Sequence, residues 1–385
     1  MKILIVHNNY GKYSGEEAVV DKMADMLTSH GHEVAFYRRT TEGVRESAVG
    51  KIKGFLSGIY SSSGVRGMWD ALRRERPDIV NVHNLYPFIS PAALFECKKS
   101  GVPVVMTIHN FRLICPTGLF MRDGLPCEVC LERGNEWSCV RYNCECNRLK
   151  SIGYTLRNVY ARWTGAYRKN VAAFACITDF QRQKLIAAGY EAERVTVIPN
   201  GIDAPTSYDL TGGNYVAYIG RLSYEKGYDL LIEVARRNPS IPFRFAGAKR
   251  EQSDMEIPDN VEFMGYLQKE ELSDFIYHSC FVVMPSRCYE GFPMAILEAA
   301  CYGKPTIGPA HGGFTEIIGR GEQAIGDLFE PNNLDDLERK VVSLWNRPDE
   351  IARLGEKAFE KLKREYSSEV IYQKWDNLFQ KLIKE

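Results

Sequence analysis

The chain lacks the features that would tie it to a membrane, a nucleic acid or a fibre. No apolar run approaches the roughly 18 residues that span a bilayer. The opening Met1-Lys2 before Ile3-Leu4-Ile5-Val6 is too short for a signal peptide and has no small-residue cleavage site, so it reads as a first buried strand. Charge of one sign is also missing: Lys+Arg and Asp+Glu number 49 each, giving a net charge of zero. A nucleic-acid binder carries a basic balance, so no nucleic acid is expected, and an anionic ligand must be met by a local cluster of cations. There is no internal repeat and no low-complexity tract. What is present is 45% hydrophobic and 25% charged residues over 385 positions. That is ordinary for a globular chain, and at about 150 residues per domain it suffices for two or three.

Short apolar runs alternate with amphipathic stretches, the signature of parallel α/β units. In the first half the runs 2–7, 33–37, 79–83, 104–108, 173–178 and 195–198 read as strands, with helices over 16–29, 65–76 and 181–188 among the segments between them. Pro199-Asn200-Gly201-Ile202-Asp203 leads into a polar stretch to Asn214 that reads as a linker. A second series of strands follows at 215–219, 243–246, 261–264, 281–284 and 306–308, and the last ~50 residues read as helices only. The expected architecture is therefore α/β, with two doubly wound Rossmann-like domains facing across a cleft. Ligands of such sheets sit beyond the carboxyl ends of the strands.

Two loops after strands carry chemistry. In Pro285-Ser286-Arg287-Cys288-Tyr289-Glu290-Gly291-Phe292-Pro293-Met294, a helix is predicted to begin at Pro293 and run to Tyr302, with Gly303 as its stop. Glu290 lies in the entry loop and Glu298 about one and a half turns inside. The amides of Gly291, Phe292, Met294 and Ala295 form an anion site at the helix start. Carboxylates accept from sugar hydroxyls while amides and cations hold a diphosphate, so the pair suits a sugar nucleotide. The bland alternative is a solvated Glu pair, against which stands the apolar run around Glu298. The second loop is Gly220-Arg221-Leu222-Ser223-Tyr224-Glu225-Lys226-Gly227. A forked Arg and a point-charge Lys five residues apart can converge on one diphosphate.

The Glu290…Glu298 pair followed by Gly303-Lys304-Pro305, the Gly220-Arg221…Lys226-Gly227 loop and the Pro199-Asn200-Gly201 turn resemble the retaining glycosyltransferases of family 4, which have the GT-B fold. The resemblance covers nearly the whole chain. It implies that Arg221 and Lys226 hold the donor diphosphate and neutralise the leaving group, that Glu290 contacts the sugar hydroxyls, and that Glu298 contacts the ribose. It implies a N-terminal acceptor domain over 1–203, a donor domain over 204–368, and a final helix, 369–385, crossing back. The donor is expected to be a UDP- or GDP-sugar and the acceptor a glycan or lipid-linked glycan of bacterial surface polysaccharide, in the cytoplasm or at the inner face of its membrane. Two cations and a helix terminus can do what a metal does in other transferases, so catalysis is expected to need no cofactor.

The resemblance extends to weaker features. His7-Asn8-Asn9-Tyr10-Gly11-Lys12-Tyr13-Ser14-Gly15 has Ser-Gly where the family has paired glycines, leaving Gly15 as the close-approach residue. His83 and His109 each end a strand. For His83 a structural role competes evenly, while His109 matches the family's contact to the donor sugar's primary hydroxyl. Gly312-Gly313 resembles a turn whose amides touch the donor sugar, with a plain surface turn as the competing reading.

Cysteine is the one residue type in local excess, six of eleven falling between Cys115 and Cys146. A subset of the family has such an insertion after a His-Asn-aromatic-Arg segment, here His109-Asn110-Phe111-Arg112. Cys115, Cys127, Cys130 and Cys144 are the candidate ligands of a structural zinc, with Cys139 and Cys146 as substitutes. Free thiols in a small core, or a redox pair, are the alternatives. Basic segments with aromatics at 51–60 and 148–169 suit either an anionic membrane surface or packing on the first sheet. Two other functions fit the pattern: a GT-B-shaped sugar-nucleotide epimerase and a non-enzymatic, metal-stapled adaptor of a polysaccharide assembly complex.

Overall fold

The computed structural model describes residues 1–10, 14–42, 48–208, 212–249 and 255–384, with backbone only at 48, 49, 51, 52 and 269. Residues 11–13 of the N-terminal loop and 209–211 of the linker lie outside the described residues. The chain divides into two compact units. One comprises Met1–Phe120, Glu128–Pro199 and Tyr372–Glu385; the other comprises Met121–Cys127 and Asn200–Ile371.

The first unit is built on six parallel strands: β1 (Lys2–Asn9), β2 (Glu33–Thr40), β3 (Ile79–Asn84), β4 (Val104–Ile108), β7 (Ala173–Cys176) and β8 (Val195–Val197). A two-stranded antiparallel hairpin, β5 (Met121–Arg122) and β6 (Leu125–Pro126), falls between β4 and β7 in the chain. The order of the large sheet is β2-β1-β3-β4-β7-β8. Strands of a helix-covered parallel sheet are buried on both faces and read as continuous apolar runs. Ile3, Leu4, Ile5 and Val6 accordingly have no exposed surface. The helix Gly15–Ser29 returns the chain from β1 to β2, starting at the Ser14 hydroxyl, which accepts from the Glu17 amide.

The second unit repeats the architecture with β9 (Val216–Ile219), β10 (Phe243–Ala246), β11 (Val261–Gly265), β12 (Phe281–Val283), β13 (Thr306–Pro309) and β14 (Gly326–Phe329), in the order β11-β10-β9-β12-β13-β14. Phe243, Phe245 and Phe281 pack with Leu231, Ile232 and Val341 from the covering helices, each such side chain contributing about 1.5–3 kcal/mol. In both sheets the strand order reverses beside the first strand, between β1 and β3 and between β9 and β12. These reversals are the ligand-binding positions of doubly wound folds.

Three expectations are corrected. Strand β14 was not read from the sequence. The helix expected over 293–302 spans Met294–Ala300, with Pro293 as its extended cap residue rather than its first helical one. The cysteine-rich segment is not a loop: besides the hairpin it forms the helices Val129–Glu132 and Trp137–Arg141. The last helix, Ser368–Lys384, carries its later residues onto the first unit, where the Tyr372 ring stacks on His30 with centroids 3.5 Å apart.

Candidate active site

At the carboxyl edge of the second sheet, the loops after β9, β12 and β13 meet. Gly227 makes the first junction possible. It sits at φ +68°, and a Cβ there would lie 1.9 Å from the Pro285 carbonyl oxygen. Only glycine lets the 220–227 loop approach the 285–290 loop so closely. The Arg287 amide then donates to the Glu225 carbonyl at 2.9 Å. The Arg287 guanidinium grips Asp229 through two 2.6 Å bonds, donates to the Tyr224 carbonyl at 2.8 Å, and lies over the Tyr224 ring. Arg287 is thus a fixed brace between the loops.

The brace presents Lys226 to Glu290. The Lys226 ammonium donates to Glu290 Oε1, and the Ser286 hydroxyl donates to the same oxygen at 2.8 Å. Burial opposes ionisation of Glu290, but the Lys226 charge, the two hydrogen bonds and the nearby Arg221 overcome it and hold the carboxyl below its usual range. Burial likewise opposes the Lys226 ammonium, and the Glu290 carboxylate outweighs it, raising that amine above its usual range. Arg221 is 41% exposed and only loosely paired, its guanidinium 3.3 Å from Glu225. The third loop joins through Gly313, whose amide donates to the Glu290 carbonyl at 2.9 Å. A Cβ on Gly313 would meet the Gly291 carbonyl oxygen at 2.5 Å.

The structure therefore gathers Arg221, Lys226, Glu290, Gly291, Gly312 and Gly313 on one edge. Phe292 is buried, its ring against Tyr366 with centroids 5.7 Å apart, so that side chain is packing. Met294 and Glu298, one helical turn apart, are the only half-buried side chains of the helix Met294–Ala300, so they share a face. Gly220 lies at the end of β9, its amide bonded to the Ala246 carbonyl at 3.0 Å. Sequence reasoning missed His311. Both of its ring nitrogens are buried without a partner among the described residues, and burial pushes it down to about 4 although Glu290 acts in the opposite sense. Its signal was its place after a strand, which it shares with His83 and His109.

At the edge of the first sheet, β1, β3 and β4 bring three histidines together. His83 Nδ1 and His109 Nε2 are 2.8 Å apart, with their rings stacked at 5.1 Å, and His7 lies edge-on to His83 at 6.5 Å. Burial drives His7 and His109 down to about 4 and His83 well below its usual value, so the cluster is neutral near pH 7. Beside it, Tyr10 donates to Glu16 at 3.2 Å and receives from Arg112 at 3.1 Å. Among the described residues, no atom outside its chain neighbours and its own helix backbone lies within 4 Å of a Cβ built on Gly15.

Residues 13–205 match the family described as Glycosyltransferase Family 4, and residues 207–361 match Glycosyl transferases group 1. The chain belongs to glycosyltransferase family 4. It is 26% identical to an uncharacterized 42.6 kDa protein in the cps region of Klebsiella pneumoniae, over 89% of this chain and 96% of that one. It is 24% identical to the glycogen synthase of Mycobacterium tuberculosis, over 78% of this chain and 67% of that one. Among solved structures, sucrose-phosphate synthase from Thermosynechococcus elongatus superposes with TM-score 0.72 at 15% identity, covering 100% of this chain and 99% of that one. Anabaena HepE in complex with UDP and glucose superposes with TM-score 0.67 at 16% identity, covering 99% and 100%. These similarities establish the GT-B fold.

In this glycosyltransferase Cys115, Cys130 and Cys144 gather around Cys139. Its thiol shares a hydrogen bond with Cys144 and lies near Cys115 and Cys130, and that hydrogen bond holds it below the usual thiol range. Among the described residues, no group of three or more His, Cys, Asp or Glu side chains is arranged to hold a metal ion. The thiol at the centre is thus Cys139, one of the expected substitutes. The two basic segments pack on each other, Phe55 against Gly153 and Tyr60 edge-on to Tyr160. Leu56, Tyr60, Leu149 and Trp163 stay exposed, the last at 83%. Among the described residues no helix is long and apolar enough to cross a membrane.

Proposed function

We propose that this family 4 enzyme transfers a sugar, with retained anomeric configuration, from a nucleoside-diphosphate sugar to a hydroxyl of a glycan or lipid-linked glycan in bacterial surface polysaccharide assembly. The observation that carries the reading is the half-buried Lys226–Glu290 pair with Arg221 beside it, at the switch point of the second sheet. A cation and a carboxylate held side by side suit a ligand that is anionic at one end and hydroxylated at the other.

In the proposed reaction the bond between the anomeric carbon and the diphosphate oxygen breaks. Lys226 and Arg221 neutralise the charge that develops on the leaving diphosphate, helped by the first-turn amides of the helix Met294–Ala300. The acceptor hydroxyl attacks from the same face, and its proton passes to the departing phosphate oxygen. Glu290 accepts from the sugar hydroxyls, Glu298 from the ribose, and the Gly312 and Gly313 backbone lines the sugar. We assign the sugar's primary hydroxyl to His109. These residues can supply the neutralising charge without a metal. The UDP bound by HepE and the cps-region relative support a UDP-sugar and a capsule setting.

Product stereochemistry by NMR tests the reading. A retained anomer supports it; an inverted anomer, or epimerised donor without acceptor, overturns it. For the cysteine segment a structural zinc remains a proposal, and stoichiometric zinc by elemental analysis is its test. Peripheral attachment through the Leu56 and Trp163 surface is tested by co-sedimentation with anionic vesicles.

A further inference from the structure

The edge of the first sheet holds a concentration of positive charge, distinct from the neutral histidines. Asn9 ends β1, Arg38, Arg39 and Thr40 end β2, Phe88 follows β3, and Lys53 comes from the helix Ala48–Ile59; together they line a cavity of about 490 Å³. That volume is in the range of small-ligand sites. The charge is incompletely compensated. Asp21 pairs with Arg38 at 2.6 Å. Arg39 donates to the neutral Ser63 hydroxyl at 3.1 Å. Among the described residues no carboxylate pairs with Arg39 or Lys53. In a chain of zero net charge, such a hollow calls for an anion.

The rest of the lining narrows the anion. A forked guanidinium and a point-charge ammonium together suit a group with several oxygens in different directions, a phosphate rather than a single carboxylate. The Asn9 side-chain oxygen is buried without a partner among the described residues. Phe88 supplies an apolar wall.

We propose that this cavity binds the phosphate or diphosphate of the acceptor. The proposal rests on the glycosyltransferase reading above, which already assigns the donor diphosphate to Arg221 and Lys226 in the other unit. A second phosphate-scale site then belongs to the other substrate, and the acceptor is an anion.

Calorimetry with inorganic pyrophosphate tests this on the full chain carrying R221Q and K226Q, which remove the donor's cations. Binding is expected there, weakened about tenfold or more when R39Q and K53Q are added and weakened by added salt. Pyrophosphate affinity that ignores R39Q and K53Q, or no binding before they are added, overturns the proposal. K53R restoring affinity, with an unchanged unfolding midpoint, ties the effect to charge rather than folding. UDP binding separates the two readings. Wild-type UDP affinity in R39Q/K53Q supports a distinct site, whereas UDP that fails to bind the wild-type chain sinks the donor assignment and leaves the pyrophosphate comparison standing. The source of the phosphate is read with phosphatidylcholine vesicles holding farnesyl diphosphate. Retention that R39Q/K53Q abolishes assigns it to a lipid carrier, and pyrophosphate binding without retention assigns it to a soluble glycan phosphate; either supports the site.

Discussion

At the edge of the second sheet the polar side chains are charged and committed, Lys226 to Glu290 and Arg287 to Asp229, whereas the histidines at the edge of the first are neutral and sparsely bonded. His7 has no hydrogen-bond partner for either ring nitrogen among the described residues, and His83 Nε2 has none. The same sheet topology thus carries two kinds of electrostatics. A paired charge is organised before any ligand arrives, and it can meet a diphosphate with little rearrangement. A neutral, buried cluster offers hydrogen bonds instead, and its protonation is suppressed by burial.

Loss of the Lys226 ammonium should disturb the second site most. Lys226→Ala should lower turnover by about a hundredfold or more. It should also cost stability on the order of 1–3 kcal/mol, because Glu290 is left half-buried without its counter-charge. Steady-state kinetics and chemical denaturation read the two effects, and wild-type values in both would contradict the pairing.

A backbone change comes next. Gly227→Ala should lower stability by about 2 kcal/mol or more and weaken donor binding, since its Cβ would strike the Pro285 carbonyl. Gly31 has a similar φ, +83°, with nothing within 4 Å of a Cβ among the described residues beyond its chain neighbours, so Gly31→Ala should cost only about 1 kcal/mol. Equal costs at the two positions would mean that the loop junction is not tight.

In the first unit the effect should fall on turnover rather than on folding. His109→Ala is expected to reduce turnover about tenfold or more with a much smaller change in denaturation midpoint. Unchanged turnover would remove His109 from the site.

The smallest effect is a pH dependence. A histidine whose folded value is depressed binds fewer protons in the native state, so its contribution to stability is present above the unfolded value near 6.5 and is lost as pH falls toward about 4. His109→Gln should flatten the decline of the unfolding midpoint across that window. An equally steep decline would show that this histidine is not held neutral by burial.

Much of this contrast was legible in the sequence, for physical reasons that differ between the two regions. Buried parallel strands announce themselves as apolar runs, so β1, β4 and β10 could be placed. β14 could not, because Gly326 and Asp327 interrupt its run. The residues gathered at the second site lie in three short segments, and their spacing implied their chemistry. Their partners did not follow: Arg287 stands inside the most informative stretch and looks like a ligand cation, yet it is bound to Asp229, 58 positions away. The His83–His109 contact needed β3 and β4 to be neighbours, which no local pattern encodes. His311 was hidden beside a glycine turn that drew attention to the backbone. The cysteine segment misled because helices of four and five residues are too short to show a period.

The central claim, that Lys226 and Arg221 grip the donor diphosphate beside Glu290, is tested most directly by calorimetric titration of UDP and GDP into the wild-type chain and into Lys226→Gln and Arg221→Gln variants. One of the two nucleotides is expected to bind the wild type, and each substitution to weaken it about tenfold or more. Nucleotide binding undiminished in both variants would contradict it.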